Sequence, residues 1–132
     1  MVLVDANVLI DVFTDDPQWR AWSEDRLLAA ASEEELAINP LIYAELASAY
    51  RTVTALERAL HKLDLIRLPL PFDAAFLAGQ AFLAYRRSGG AKRSPLPDFY
   101  IGAHAQIAGL RLLTRDASRY RTYFPKVTLI SP

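Results

Sequence analysis

The chain contains no cysteine, which excludes disulfides and thiolate-held metal and removes the spacing signatures of zinc ribbons and redox dithiols. Only two histidines occur in 132 residues, His61 and His104, so an imidazole-rich zinc centre has little to be built from. Neither sign of charge is in excess, with 15 Lys and Arg against 15 Asp and Glu. Any nucleic-acid partner must therefore be met by a local patch of cations and not by overall charge. No apolar run is long enough for a membrane span: Asp5 and Asp11 interrupt the first one, and no basic leader precedes it. A soluble, cytoplasmic protein without a membrane partner is the expectation. No repeat and no long linker is present, so residues 1–132 are read as one domain, and a 52% hydrophobic, 23% charged composition suits a globular core.

What is present is an alternation of short β-rich runs with longer segments rich in alanine and leucine. "VLV" (Val2 to Val4) reads as a buried strand, and "ANVLIDVF" begins a helix. Trp19, Trp22, Leu27 and Ala30 carry helical spacing through "PQWRAWSEDRLLAAA". "LAIN" is a second strand, and the helix after it has Asn39 as N-cap and Pro40 at its first position. "TVTALERALHKL" places Leu56, Leu60 and Leu63 on one side of a further helix, and "LIRL" is a third strand. Asp73 is expected to cap "AAFLAGQAFLAYRR". The polar, glycine- and cation-rich "SGGAKRSPLP" is a loop. "DFYIGAHAQIAG" then reads as a helix, "LRLLT" as a strand, "DASRYRTYF" as a turn or short helix, and "KVTLI" as the last strand. Such alternation implies an α/β protein with a parallel sheet of four to five strands covered on both faces. Right-handed crossovers bring every strand's carboxyl end to one side, where ligands of such folds bind.

Four acids stand at or just beyond those ends: Asp5 after "VLV", Glu45 in the helix after "LAIN", Asp98 at the opening of the helix after "SPLP", and Asp116 after "LRLLT". Taken one by one, Asp5, Asp98 and Asp116 suit a helix cap better than a catalytic acid. Glu45 is mid-helix, and unless it points outward its burial without a partner would be costly. What favours a site is that all four meet at one edge. Asp11 shares a helical face with Asn7 and is left outside the set. Carboxylates gathered in one place repel one another, a conflict that a divalent cation relieves. All-oxygen ligands favour Mg2+ or Mn2+. His104 is expected to pack among small residues, and His61 to be solvated at a helix end.

Taken in order, "LVDANVLID", "NPLIYAEL", "LPDFYIGAHA" and "LLTRDASRY" resemble the PIN-domain ribonucleases, and within them the VapC toxins of toxin–antitoxin pairs. The resemblance spans nearly the whole chain. It implies a three-layer α/β/α sandwich with strand order 3-2-1-4-5, and Mg2+- or Mn2+-dependent hydrolysis of RNA. Asp5, Glu45, Asp98 and Asp116 would be its catalytic and metal-site acids, with Asn7 and Thr114 supporting them. It also implies a VapB-like antitoxin whose C-terminal segment covers the acids, and a homodimer. Cations are needed beside such a pocket, and Arg86, Arg87, Lys92, Arg93 and Arg115 are the candidates for RNA contact. Tyr43, Phe99 and Tyr100 suit either base stacking or the core. Trp19 and Trp22 suit either an antitoxin groove or the interior.

Two other readings compete. A phosphatase or phosphoaspartate receiver also sets aspartates at strand ends. The receiver needs an acidic pair after its first strand and a lysine after its last; the phosphatase needs a second aspartate two residues beyond the first, where Asn7 stands. A non-catalytic interaction module would use the acids as caps, and it predicts no stabilisation by added metal.

Overall fold

The computed structural model describes residues 1–90 and 96–132. The described elements begin with β1 (Val2–Val4), α1 (Ala6–Phe13), α2 (Arg20–Glu33), β2 (Leu36–Ile38), α3 (Pro40–Ala47) and α4 (Val53–Leu60). They continue with β3 (Leu65–Arg67), α5 (Phe72–Arg87), α6 (Leu96–Ala108), β4 (Arg111–Leu113), α7 (Ser118–Tyr123) and β5 (Leu129–Ile130). All five strands pair in parallel in the order β3-β2-β1-β4-β5, as the resemblance implied. β1 and β2 are wholly buried, and so are Leu112 and Leu113 of β4. These short apolar runs suit strands covered on both faces.

The chain moves from β1 outward to β2 and β3, then returns to β4 and continues outward to β5 on the other side. Such a reversal places helices on both faces of the sheet when each crossover is right-handed. Helix contacts follow the division: α1 packs on α2 and α3, and α3 on α4, whereas α5 packs on α6 and α6 on α7. α3 also touches α6, joining the two sets. The reversal point lies between β1 and β4, where this topology opens a crevice at the carboxyl ends of the strands.

Several boundaries differ from the sequence pattern. Asp73 lies inside the first turn of α5, after a chain entry at Pro71 that has no side-chain cap. There it complements the helix dipole without serving as the cap. Asp98 is likewise the third residue of α6, which starts at Leu96. α2 begins at Arg20, and β5 shrinks to two residues. Asn39 does cap α3, accepting from Ile42 N at 2.9 Å, with Pro40 following it.

Gly102 allows α7 to seat on α6: a β-carbon there would fall 2.4 Å from the Phe124 ring. No helix among the described residues is long and apolar enough to cross a membrane.

Candidate acidic site at the carboxyl ends of β1 and β4

Asp5 answers both readings of its position. It ends β1 and caps α1, its Oδ1 accepting from Ala6 N at 2.8 Å. Its Oδ2 accepts from the Thr114 hydroxyl at 2.9 Å and the Tyr120 hydroxyl at 3.0 Å. Thr114 follows β4, so the first of these bonds spans the reversal point. The carboxylate is 4% exposed. Burial chiefly, and then the charge of Asp98, push its pKa up to about 6, against the opposing effect of its three donors.

Asp98 comes from α6. Its Oδ1 lies 3.4 Å from the same Tyr120 hydroxyl, so one phenol oxygen separates the two carboxylates. Its Oδ2 accepts from Arg119 Nη1 at 2.6 Å. Glu45 comes from α3, which contacts both α1 and α6. Burial first, then the charges of Asp5 and Asp98, raise its pKa to about 7, and its buried Oε1 has no hydrogen-bond partner among the described residues. Three acids from three elements are thus electrostatically joined. Tyr120, 1% exposed, is held well above its ordinary pKa by burial and by Asp5 and Asp98, so its hydroxyl remains a donor.

Asp116 is placed differently. It is exposed, its carboxylate meets Ser118 Oγ at 3.4 Å, and it connects to the others through its backbone N–H, which donates to Thr114 Oγ1 at 3.2 Å. Asn7 supports the same segment, donating from Nδ2 to Thr114 Oγ1 (3.2 Å) and accepting from Arg115 N (3.3 Å).

The cation candidates divide. Arg115 donates from Nε to Asp11 Oδ2 at 2.7 Å and lies over the Trp19 ring at 5.6 Å. Arg86 and Arg87 are exposed in the last turn of α5, Arg86 above the Phe82 ring. Lys92 and Arg93 lie outside the described residues. Phe99 is fully buried in the core, and Tyr43 donates to Glu57 at 2.8 Å beneath Arg67, so neither stands free for a base. Tyr100 is half-buried, its hydroxyl directed to Pro71 O. Trp19 and Trp22 are half-buried and meet edge to face at 6.1 Å. His104 is buried with Nδ1 3.0 Å from Asn39 Nδ2, and burial lowers its pKa.

Two residues that the sequence pattern passed over stand at the acids, Arg119 and Tyr120. Both follow Asp116 closely, but only the turn of α7 shows that they face Asp98. A cleft of about 490 Å3 lies elsewhere, between the end of α4 and β3, and none of the four acids lines it.

Comparison with known proteins identifies the family and the fold. The PIN domain family model matches residues 2–125, and the chain belongs to that family. A search of curated proteins found no significant match. Among solved structures, the chain is similar to one in VapBC2 from Rickettsia felis bound to a DNA fragment from their promoter. The TM-score is 0.75 and the identity 18%, over 99% of this chain and 98% of that one. It is similar to a toxin–antitoxin complex from Klebsiella pneumoniae, with a TM-score of 0.67 and 25% identity, covering 91% and 90% of the two chains. It is also similar to VapC20 of Mycobacterium tuberculosis, described as a Sarcin-Ricin loop cleaving toxin, with a TM-score of 0.64 and 11% identity over 92% and 95%.

Proposed function

We propose that residues 1–132 form one nuclease unit, a divalent-metal-dependent endoribonuclease that serves as the toxin of a type II toxin–antitoxin pair. The observation that carries this reading is the electrostatic state of Asp5, Glu45 and Asp98. Three carboxylates converge, two of them with raised pKa values, and one buried oxygen is unpartnered among the described residues. Acids whose pKa values are raised by burial and by one another in a shared crevice are a feature of functional sites. Family membership and the resemblance to VapBC complexes support the same conclusion.

The donor set suits a hard cation. Every candidate ligand is oxygen, and neither histidine contacts these acids: His104 pairs with Asn39, and His61 ends α4 beside Glu57 O. Among the described residues no three Asp, Glu or His side chains form a ready-made metal cage. Magnesium, which keeps several waters and takes one or two protein carboxylates, matches such a site better than an ion needing full protein ligation. When bound, it would lower the pKa of a water and offset charge on the phosphate.

The chain's own residues set the stage. Ala6 N, Thr114 and Tyr120 fix Asp5, whose Oδ1 keeps a lone pair in reserve. Arg119 and Tyr120 hold Asp98 from its two oxygens. Asp5 and Asp98 would hold the ion, directly or through water. Glu45, with its unpartnered oxygen, would orient the attacking water, and Asp116 at the rim would complete the acidic set. Asn7 and Thr114 keep the β4 end in register. Attack by water leaves a 5′-phosphate and a 3′-hydroxyl and does not use the ribose 2′-OH.

Similarity to VapBC complexes extends the proposal to a VapB-like antitoxin partner and, as the family resemblance implies, to a homodimer acting on RNA in the cytoplasm. The test is cleavage of structured RNAs by purified protein with Mg2+, with Mn2+ and with chelator, alongside Asp5→Asn and Asp98→Asn. Cleavage that survives chelation or either substitution would overturn the assignment.

A further inference from the structure

Among the described residues, a cation that the loop pattern did not suggest, Arg119, stands at the acids. Arg119 enters from α7 and donates Nη1 to Asp98 Oδ2, while its guanidinium lies over the Tyr85 ring at 5.6 Å and the Phe99 ring at 5.9 Å. Those two rings pack together, 5.4 Å between centroids, and Tyr123 of the same helix closes on both. The side chain is 34% exposed, neither buried in the core nor free in solvent.

We propose that Arg119 grips the RNA phosphate beside the acidic cluster, held in readiness by Asp98 and by an aromatic shelf. The inference rests on the nuclease reading above and names the residue that brings a polyanion to it.

The argument is one of charge and of spare donors. A chain of zero net charge with three converging carboxylates repels RNA at that spot unless a cation stands there. Arg115, nearer to Asp116 in sequence, pairs with Asp11, which is not one of the three converging acids, whereas Arg119 pairs with Asp98, which is. A guanidinium carries five N–H donors in a planar fork, and the hydrogen bond to Asp98 uses one of them. The rest suit the oxygens of a phosphate, which arginine binds with two parallel bonds. Stacking on Tyr85 and Phe99 orders the fork beforehand, so less conformational freedom is lost when phosphate arrives. Gly102, by admitting the Phe124 ring, fixes the helix that presents Arg119.

The test measures RNA binding apart from cleavage. A fluorescein-labelled single-stranded RNA is titrated against the Asp5→Asn protein, with and without Arg119→Ala, Arg119→Gln or Arg119→Lys, across a salt series. Losing one charged contact should weaken binding about 10-fold. It should also make the slope of log affinity against log salt shallower by about 0.7 for the alanine and glutamine variants. Arg119→Lys should keep the slope and recover only part of the affinity. In the otherwise unsubstituted protein, Mn2+ binding followed by electron spin resonance should be as tight or tighter with Arg119→Gln, because Asp98 is released.

Unchanged RNA affinity and slope in the alanine and glutamine variants would overturn the proposal. So would a loss of Mn2+ binding with RNA affinity intact, which would make Arg119 a support for Asp98 alone. Metal-independent cleavage by the parent protein would instead overturn the nuclease reading, whatever the variants do.

Discussion

Asp5 and Asp11 sit at opposite ends of α1, and both are buried, yet the chain treats them differently. Asp11 accepts from Ser23 Oγ and from Arg115 Nε on one oxygen, each at 2.7 Å, and Trp19 covers the guanidinium. Its charge is answered by Arg115 on that oxygen, while Oδ1 is buried with no hydrogen-bond partner among the described residues, and it pins α1 to α2 and to the segment after β4. Asp5 receives three neutral donors but faces a second acid, Asp98, and pushes the pKa of a third, Glu45, upward. One residue type at similar burial thus makes a staple in one place and an unbalanced site in the other. The difference lies in what stands opposite. Where the fold supplies a cation the aspartate stabilises; where it supplies more acid, a cation from outside is expected.

That contrast can be broken from either end. The largest effect should follow Asp5→Asn or Asp98→Asn, which removes a candidate ion ligand: RNA cleavage with Mg2+ should fall at least about 100-fold, followed on gels. Next comes Arg115→Ala, which leaves Asp11 buried without its cation and should destabilise by about 3 kcal/mol, read by chemical denaturation. If the two aspartates behaved alike, Arg115→Ala would cost little.

The pH dependence should show the unbalanced site directly. The folded chain holds protons on Asp5 and Glu45 more tightly than the unfolded chain does. Their contribution to metal-free stability is therefore complete below about pH 4 and is lost as pH rises through about 6 and 7. Melting temperatures measured across that window should fall, and added Mn2+ should reverse the loss. Glu45→Gln should raise the metal-free melting temperature at pH 7.5 by a few degrees while lowering cleavage, the reverse of what a structural glutamate would do. The smallest effect belongs to Tyr120→Phe. Its hydroxyl lowers the pKa of Asp5, so removing it should shift the pH midpoint of Mn2+ binding upward by less than about one unit, with folding little changed.

Much of this was legible in the chain. The runs "VLV" and "LAI" are apolar throughout because both faces of those strands are covered, and Asn39-Pro40 marks a helix start by capping chemistry alone. Asp5, Glu45 and Asp98 were found by asking which acids follow strands. Asp116 satisfied the same rule yet sits exposed at the rim, because the turn before α7 directs its side chain toward Ser118. Asp11 shares a helical face with Asn7 and not with the strand edge. That face is real, and it meets the segment after β4, where Asn7 holds the Arg115 backbone and Asp11 its side chain. That Arg115 pairs with Asp11 is not legible locally, because the two lie 104 residues apart in the chain.

The sequence by itself determined the parallel α/β architecture and the set from which the acids came, since both follow from local periodicity and from residues adjacent to strand ends. The tertiary structure decided which charges are answered. It gave Arg115 to Asp11, set Arg119 and Tyr120 against Asp98, and left Glu45 Oε1 without a partner among the described residues. The reason is that a carboxylate's state depends on burial and on charges a few ångströms away, and those neighbours come from elements that periodicity does not pair.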